Sequence, residues 1–313
     1  MQSQPLSSQR KATIVSTSVA VFLVVVKLVI GVLSGSVAVL ASAIDSLLDT
    51  AVSMFNYFAI KKAEEKPDEQ YHYGKGKIQA IAAVIEGTVI SISGLFIIYE
   101  AIEKWRLGKE TTLLVPSIAA MLISIGVTFF LVRYLLNVAK STGNIVIKAD
   151  ALHYKTDLWS NSAVLAALVL VYATGIDGID ALFGLGIGVY IIYSAYEIMM
   201  EGVGILLDKA LPDEVVHQIE DILQSHPDVN GYHWLRTRTD GLHNFVEFHV
   251  VLRPAMLLIE AHKIADEIET QIARIDPTKQ WVITPHFDPF DDSALNEAFA
   301  FGMTKSHEEV SAL

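Results

Sequence analysis

Cysteine is absent from the 313-residue chain. That excludes a disulfide-stapled fold, a thiol nucleophile and thiolate-rich zinc sites. Charge is also scarce: Asp, Glu, Lys and Arg make up 19% of the residues, against roughly 25% in soluble domains. Basic residues are outnumbered, 23 Lys and Arg facing 35 Asp and Glu, for a net charge of −12. An acidic chain argues against nucleic-acid binding, which favours basic patches. No His-Glu-x-x-His pair is present, so the sequence lacks the signature of a zincin-type hydrolase.

What the chain has instead is apolar length. Hydrophobic residues reach 52% and mean hydropathy is +0.43. Six apolar stretches lie before residue 208, at 12–33, 37–60, 78–102, 113–136, 145–173 and 181–207. Each reaches the ~20 residues a helix needs to cross a bilayer. Ala41-Ser42-Ala43 resembles a signal-peptide cleavage site, but the apolar run before it is too long for a signal core and a second run continues through it. Beyond Pro212 the chain turns polar and holds eight of the ten histidines. The expected organisation is a segment 1–11, a six-helix transmembrane domain 12–208, a cytoplasmic domain 209–290 and a flexible polar tail 291–313.

Orientation follows from the cations. Arg10 and Lys11 precede the first stretch. Lys61, Lys62, Lys66, Lys75 and Lys77 follow the second, and Arg133, Lys140 and Lys148 surround the link after the fourth. The opposite links carry Lys104, Arg106 and Lys109 in one case and none in the others. The positive-inside rule then places both termini in the cytoplasm.

The polar domain reads helix, strand, strand, helix, strand. Asp213 is expected to cap a helix running to about Ser225, with Val215, Val216, Ile219 and Leu223 along one face. Residues 233–238 and 245–252 alternate like strands around a Thr239-Asp240-Gly241 turn. Residues 258–275 are amphipathic, and 281–286 form a short strand. This pattern predicts a small α+β domain of the ferredoxin-like kind.

Four polar residues stand out inside the apolar runs. Asp45 and Asp49 occupy the second, His153 and Asp157 the fifth, both pairs at i, i+4. That spacing stacks each pair on one helix face. A charge at mid-membrane costs on the order of 3 kcal/mol, so such residues mark a pathway. Three carboxylates and one imidazole suit a tetrahedral divalent transition metal, Zn²⁺ first; Mg²⁺ and Ca²⁺ want six or more oxygens. Lys27 and Glu86 are expected to snorkel or pair. Gly184, Gly186 and Gly188 lie mid-helix with no strand before them, which favours close helix packing over nucleotide binding.

Gly35-Ser36, Ala43-Ile44-Asp45-Ser46-Leu47-Leu48-Asp49, Ala149 to Asp157, Asp180-Ala181-Leu182-Phe183 and Leu206 to Pro212 together resemble the cation diffusion facilitator family, in its bacterial zinc/iron efflux branch. The resemblance spans about residues 10–290. It implies a homodimeric metal/proton antiporter working by alternating access in the inner (plasma) membrane, and no enzyme. Asp45, Asp49, His153 and Asp157 match the family's transport site. Lys77 and Asp208 match a charge interlock that locks the dimer.

On the polar domain, His233 and His249 lie on neighbouring predicted strands and are placed to converge. With His262, His286 and Asp288 they resemble the family's cytoplasmic binuclear metal site. Phe287 departs from the polar residue common there. His217, His226, His243 and His307 match nothing and are expected to be solvated. The loop after the second helix departs further. It keeps Asp68 and the glycines but has Tyr71 and Lys75 where the family carries histidines, with His72 beside Tyr71. A loop site on Asp68 and His72 is expected to be weak.

The function so implied is proton-coupled efflux of divalent cations, Zn²⁺ or Fe²⁺ being both cargo and regulatory ion. Expected partners are divalent metal ions, protons, a second copy of the chain and the lipid bilayer. The alternatives are chief use for Fe²⁺ or Mn²⁺, a membrane metal sensor or assembly protein, and a membrane metallohydrolase. Four ligands in the membrane argue against the sensor, and the absence of a general base beyond the ligands argues against the hydrolase.

Overall fold

In a computed structural model of the chain, residues 7–34, 37–107, 115–174, 178–277 and 279–291 are described, some of them by backbone alone. The tail from 292, including His307, lies outside the described residues. Two compact units divide between Leu207 and Asp208.

The first unit holds six long helices: α1 (Ser8–Ser34), α2 (Val37–Ala63), α3 (Ile78–Leu107), α4 (Val115–Thr142), α5 (Ile145–Thr174) and α6 (Gly178–Leu206). Among the described residues, four spans are long and apolar enough to cross a membrane: Ser8–Ile30, Ile78–Glu103, Leu122–Thr142 and Gly184–Leu206. Phe22, Phe96, Phe130 and Tyr193 face outward, as expected of helices that satisfy their own backbone and turn apolar side chains to lipid. The interior is built from smaller groups, including Ala59, Ala82, Ala83, Ala149, Ala151 and Ala195, around Ile90, Leu135, Tyr154 and Ile191.

Glycine decides how close α3 and α6 come. A Cβ on Gly188 would stand 2.5 Å from Ile98 Cγ1 and 3.0 Å from Gly94 O; one on Gly94 would stand 2.8 Å from Ile192 Cγ1. A Cβ on Gly184 would meet Ala101 Cβ at 3.0 Å, whereas Gly186 has nothing within 4 Å. Two of the three glycines in the Gly-x-Gly-x-Gly run are therefore packing positions, as small residues at membrane helix contacts are. At the start of α5, the buried Asn144 caps the helix: its Oδ1 accepts from the N–H groups of Val146 and Ile147, and its Nδ2 donates to Gln79 Oε1 at 3.0 Å.

The second unit runs α7 (Asp213–Ser225), β1 (Gly231–Thr239), β2 (His243–Val251), α8 (Leu258–Ala273) and β3 (Gln280–Asp288). These are the five elements expected, in the expected order. They form one three-stranded sheet in the order β1-β2-β3, β2 antiparallel to β1 and parallel to β3. Ile219 and Leu223 of α7, Ile264, Ile268 and Ile272 of α8, and Val246, Phe248 and Val250 of β2 share one core. The β1–β2 turn is held by Asp240, whose Oδ1 accepts from the N–H groups of Leu242 and His243, with Gly241 at φ 95°. That φ is open to glycine at little cost.

Candidate metal centres

In the helical unit, helix geometry carries Asp49 on α2 and both His153 and Asp157 on α5 to one place. Ligand atoms of these three residues all lie within 4.8 Å of one another. His153 Nε2 is 3.0 Å from Asp49 Oδ1. His153 is 9% exposed, and its ring stands edge-on to buried Tyr154 at 5.4 Å between centroids. Tyr154 OH is 2.8 Å from Ser53 Oγ, which fixes that edge of α5 against α2. Two carboxylates and one imidazole converging in an apolar bundle offer three N/O ligands for one divalent ion. Asp45 stands one helical turn before Asp49; its side chain lies outside the described part of the structure.

In the second unit the sheet register does the same work. His233 pairs with His249 across β1 and β2, and His249 pairs with His286 across β2 and β3. The three imidazoles therefore form a row, with ring centroids 5.0 Å and 4.4 Å apart. Asp288, two residues beyond His286, joins the row: its Oδ2 is 2.8 Å from His249 Nδ1 and 3.3 Å from His233 Nε2, and its Oδ1 is 3.3 Å from His286 Nε2. The β1–β2 register shifts between His233 and Arg236, and Trp234 there has φ 57°. A bulge of this kind re-aims side chains beside functional sites. The ligand atoms of His233, His249 and Asp288 lie within 4.8 Å of one another.

The remaining expected residues are placed otherwise. His262 is 67% exposed in its side chain, and Asp266, one turn on, is 3.8 Å from its Nε2; it is outside the His233–His249–Asp288 cluster. Asp68 is committed to its own loop. Its Oδ1 accepts from the N–H groups of Gln70 and Tyr71, and its Oδ2 is 2.6 Å from Lys75 Nζ. The Lys75 ammonium first, then those two N–H groups, hold the Asp68 carboxyl down at about 2. His72 Nε2 is occupied by Glu69 O at 3.1 Å. Lys77 Nζ donates to Leu206 O at 3.4 Å, and Asp208 Oδ1 lies 3.5 Å from Arg238 Nη1.

Two expectations need correction. His226 is not solvated: its side chain is 4% exposed, with Nε2 3.3 Å from Glu267 Oε2 and Nδ1 accepting from Asp228 N–H. His243 is part of the turn, with Nδ1 3.0 Å from Asp240 Oδ2. Sequence reasoning also left the interior of the helical bundle underdescribed. Asp150 is fully buried beside Ser53, and Glu86 is buried against Asn56, neither of them snorkelling. The signal for both was a charged residue well inside an apolar run.

Comparison with known proteins covers nearly the whole chain. Residues 13–207 match the cation efflux transmembrane domain, and residues 211–290 match the cation efflux protein cytoplasmic domain. The cation-efflux pump FieF of Citrobacter koseri is 37% identical over 281 residues, 89% of this chain and 92% of that pump. FieF of Escherichia coli O1:K1 is 36% identical over the same shares. Among solved structures, the metal-bound C-terminal domain of the CzcD transporter from Thermotoga maritima is 22% identical, covering 24% of this chain and 87% of that one, at a TM-score of 0.23. Two matched domains in series, with relatives alike over most of their length, establish that the chain belongs to the cation diffusion facilitator family of cation efflux proteins.

Proposed function

We propose that the chain exports divalent transition metal cations from the cytoplasm in exchange for protons, Zn²⁺ before Fe²⁺. The observation that carries this reading is the convergence of Asp49, His153 and Asp157 inside the helical unit. With Asp45 as the fourth ligand, it is a tetrahedral N/O site, the coordination Zn²⁺ takes. Zn²⁺ is preferred over Mn²⁺ because imidazole is among the ligands, and Fe²⁺ remains the nearest competitor.

Exchange follows from the ligands. Metal needs ionised carboxylates and a neutral imidazole, so protons compete for the same atoms. On the side where protons are abundant, the site gives up metal; on the other it regains it. His153 is the ligand whose ordinary range lies nearest neutrality.

The second unit is assigned a ferredoxin-like fold and the role of a cytoplasmic dimerisation and regulatory domain. His233, His249, His286 and Asp288 would hold its resident ion, with His262 contributing from α8. Two ring nitrogens and a carboxylate within 4.8 Å fit Zn²⁺ or Fe²⁺. A bound ion there would offset repulsion between acidic protomers. The chain is taken as a six-span protein of the inner membrane with both termini cytoplasmic, Lys77 and Asp208 interlocking the dimer.

The test is uptake by proteoliposomes across an imposed pH gradient, with Zn²⁺, Fe²⁺, Mn²⁺ and Cd²⁺ in parallel. Zn²⁺ flux that rises with the gradient and collapses with a protonophore is expected. Flux indifferent to the gradient would refute antiport, and Fe²⁺ outrunning Zn²⁺ would reverse the metal order.

A further inference from the structure

On one side of the helical unit, the start of α1 and the end of α2 are clasped together. Arg10 Nε lies 2.6 Å from Glu64 Oε2, and Ser7 Oγ donates to Glu64 Oε1 at 2.5 Å. One turn further along, the two helices leave a groove of about 480 Å³ between them. That volume falls in the ~300–1,000 Å³ of sites that hold small ligands. Ile14 and Val21 of α1 and Met54 and Phe58 of α2 wall it, each between 41% and 56% exposed. Thr17 and Ser18 also line it, but their hydroxyls donate to the carbonyls of Thr13 and Ile14, both at 2.7 Å. The groove is therefore outward-facing and apolar, and no charged side chain lines it.

Toward the clasp, the same two helix faces continue as lysines. Lys11 stands three residues before Ile14 and seven before Ser18; Lys61 stands three after Phe58 and four after Tyr57. Those spacings keep each lysine on the face that lines the groove, and both side chains are exposed. The acids nearest in sequence are already engaged: Glu64 by Arg10, and Glu65 by Lys62 at 2.8 Å and Lys75 at 3.3 Å. Among the described residues, neither Lys11 nor Lys61 has an ion-pair partner, and the Tyr57 hydroxyl has no hydrogen bond. The groove thus ends in two uncompensated cations, with the phenol of Tyr57, a lining residue, one turn inside Lys61.

This arrangement has the polarity of a phospholipid. An acyl chain gains little from an apolar groove alone, because neighbouring lipid tails are equally apolar. Discrimination must come from the headgroup. Lysine stems snorkel to the membrane surface, and tyrosine favours the same level. Cations placed there attract anionic lipid, by a factor of about five each. A zwitterionic headgroup brings an ammonium of its own against the two lysines, so a net negative headgroup fits better. A second copy of the chain is a poorer occupant. A two-fold contact through this face would set Lys11 and Lys61 against the same lysines of the partner.

We propose that the groove between α1 and α2 is a binding site for a phospholipid with a net negative headgroup. Its phosphate bridges Lys11 and Lys61, the Tyr57 hydroxyl donates to the phosphate or to a glycerol ester, and one acyl chain lies along Ile14, Val21, Met54 and Phe58. The headgroup occupies the leaflet at the N-terminal end of α1, which is the cytoplasmic leaflet in the orientation proposed above. The site does not depend on which ion the protein carries.

The experiment uses the full chain in detergent, stripped of lipid, with phosphatidylglycerol or phosphatidylcholine of the same acyl chains added back. Native mass spectrometry reads the first lipid retained. The wild type should prefer phosphatidylglycerol by about thirtyfold, the product of two cations. Lys11→Gln with Lys61→Gln should erase that preference. Arg133→Gln with Lys140→Gln removes the same charge from α4 and should keep it. Val21→Trp fills the groove while sparing both lysines, and should cut phosphatidylglycerol retention several-fold. All four positions are exposed, so the variants should fold, which size-exclusion profiles check. Equal retention of the two lipids by the wild type overturns the proposal, as does a preference that survives in Lys11→Gln with Lys61→Gln. Equal loss in the α4 variant would reduce the effect to general surface charge and also overturn it. Unchanged retention in Val21→Trp would remove the groove from the site. A shift from dimer to monomer in Val21→Trp would show that a second copy covers the groove instead of lipid.

Discussion

His153 Nε2 and Asp49 Oδ1, 3.0 Å apart, join α5 to α2 across 104 residues of sequence. A cation inserted between them would exchange this one contact for two coordinate bonds. Asp45→Ala, Asp49→Ala, His153→Ala and Asp157→Ala should each cut metal flux at least tenfold while the protein stays folded, since loss of one ligand in four opens a tetrahedral site. Proteoliposome flux and size-exclusion profiles read the two effects. Near-normal flux in any two variants would disprove the site. His153→Asp should move selectivity toward harder ions such as Mn²⁺.

On the sheet, Zn²⁺ is expected to raise the thermal midpoint of the second unit, and His249→Ala and Asp288→Ala should each abolish that rise, because Asp288 lies within 3.3 Å of all three imidazoles of the row. His262→Ala should cost less, its ring being exposed and outside the His233–His249–Asp288 cluster. Sedimentation with and without Zn²⁺ checks the accompanying tightening of the dimer. Equal effects from all three variants would place His262 among the primary ligands.

Asp240 and His243 give the second unit a pH window. Burial works to raise the Asp240 carboxyl, but the His243 ring and the N–H groups of His243 and Leu242 outweigh it and hold it below the usual range. The hydrogen bond to Asp240 raises His243. The Asp240 contribution is present above the unfolded value of ~3.9 and is lost as pH falls through the lower folded value. The His243 contribution is complete below ~6.5 and is lost as pH rises through the raised folded value. Both are therefore whole between about pH 4 and pH 6.5. His243→Ala should lower the midpoint by a few degrees there and by less at pH 9, read by thermal melts of the full chain in detergent. An equal loss at both pH values would rule out the ion pair as the cause.

The loop between α2 and α3 should be insensitive to the loss of its metal-type residues. Asp68→Ala and His72→Ala are expected to keep at least half of the flux, because Asp68 is occupied by Lys75 and two backbone N–H groups. Lys77→Ala and Asp208→Ala should weaken the dimer, measured by cross-linking in membranes. An anomalous signal on Asp68 and His72 in a metal-soaked crystal would revive the loop site.

Gly188→Leu should disrupt the bundle, since even a Cβ there would stand 2.5 Å from Ile98. Gly186→Leu should be tolerated, with nothing within 4 Å of its Cβ position. Yield of monodisperse protein compares the two, and equal yields would contradict a packing role for the motif.

The sequence by itself determined the parts that depend on local rules. Apolar runs of bilayer length gave six long helices, and period-two and period-3.6 patterns gave the order of α7, β1, β2, α8 and β3. The i, i+4 spacing named Asp45, Asp49, His153 and Asp157 because one helical turn sets which residues share a face. Only the tertiary structure decided which of these distant groups meet. That His233, His249 and His286 align in one row depends on sheet register and on a bulge at Trp234, neither of which is a property of a short segment. The isolation of His262 from that row, the capture of Asp68 by Lys75 and the burial of His226 against Glu267 are likewise contacts between side chains remote from, or only loosely tied to, one another in sequence. Glu86 shows the division most plainly. Its place in an apolar run announced a charge that must be dealt with, but only helix packing, which sets Asn56 against one of its oxygens and leaves the other bare, shows how.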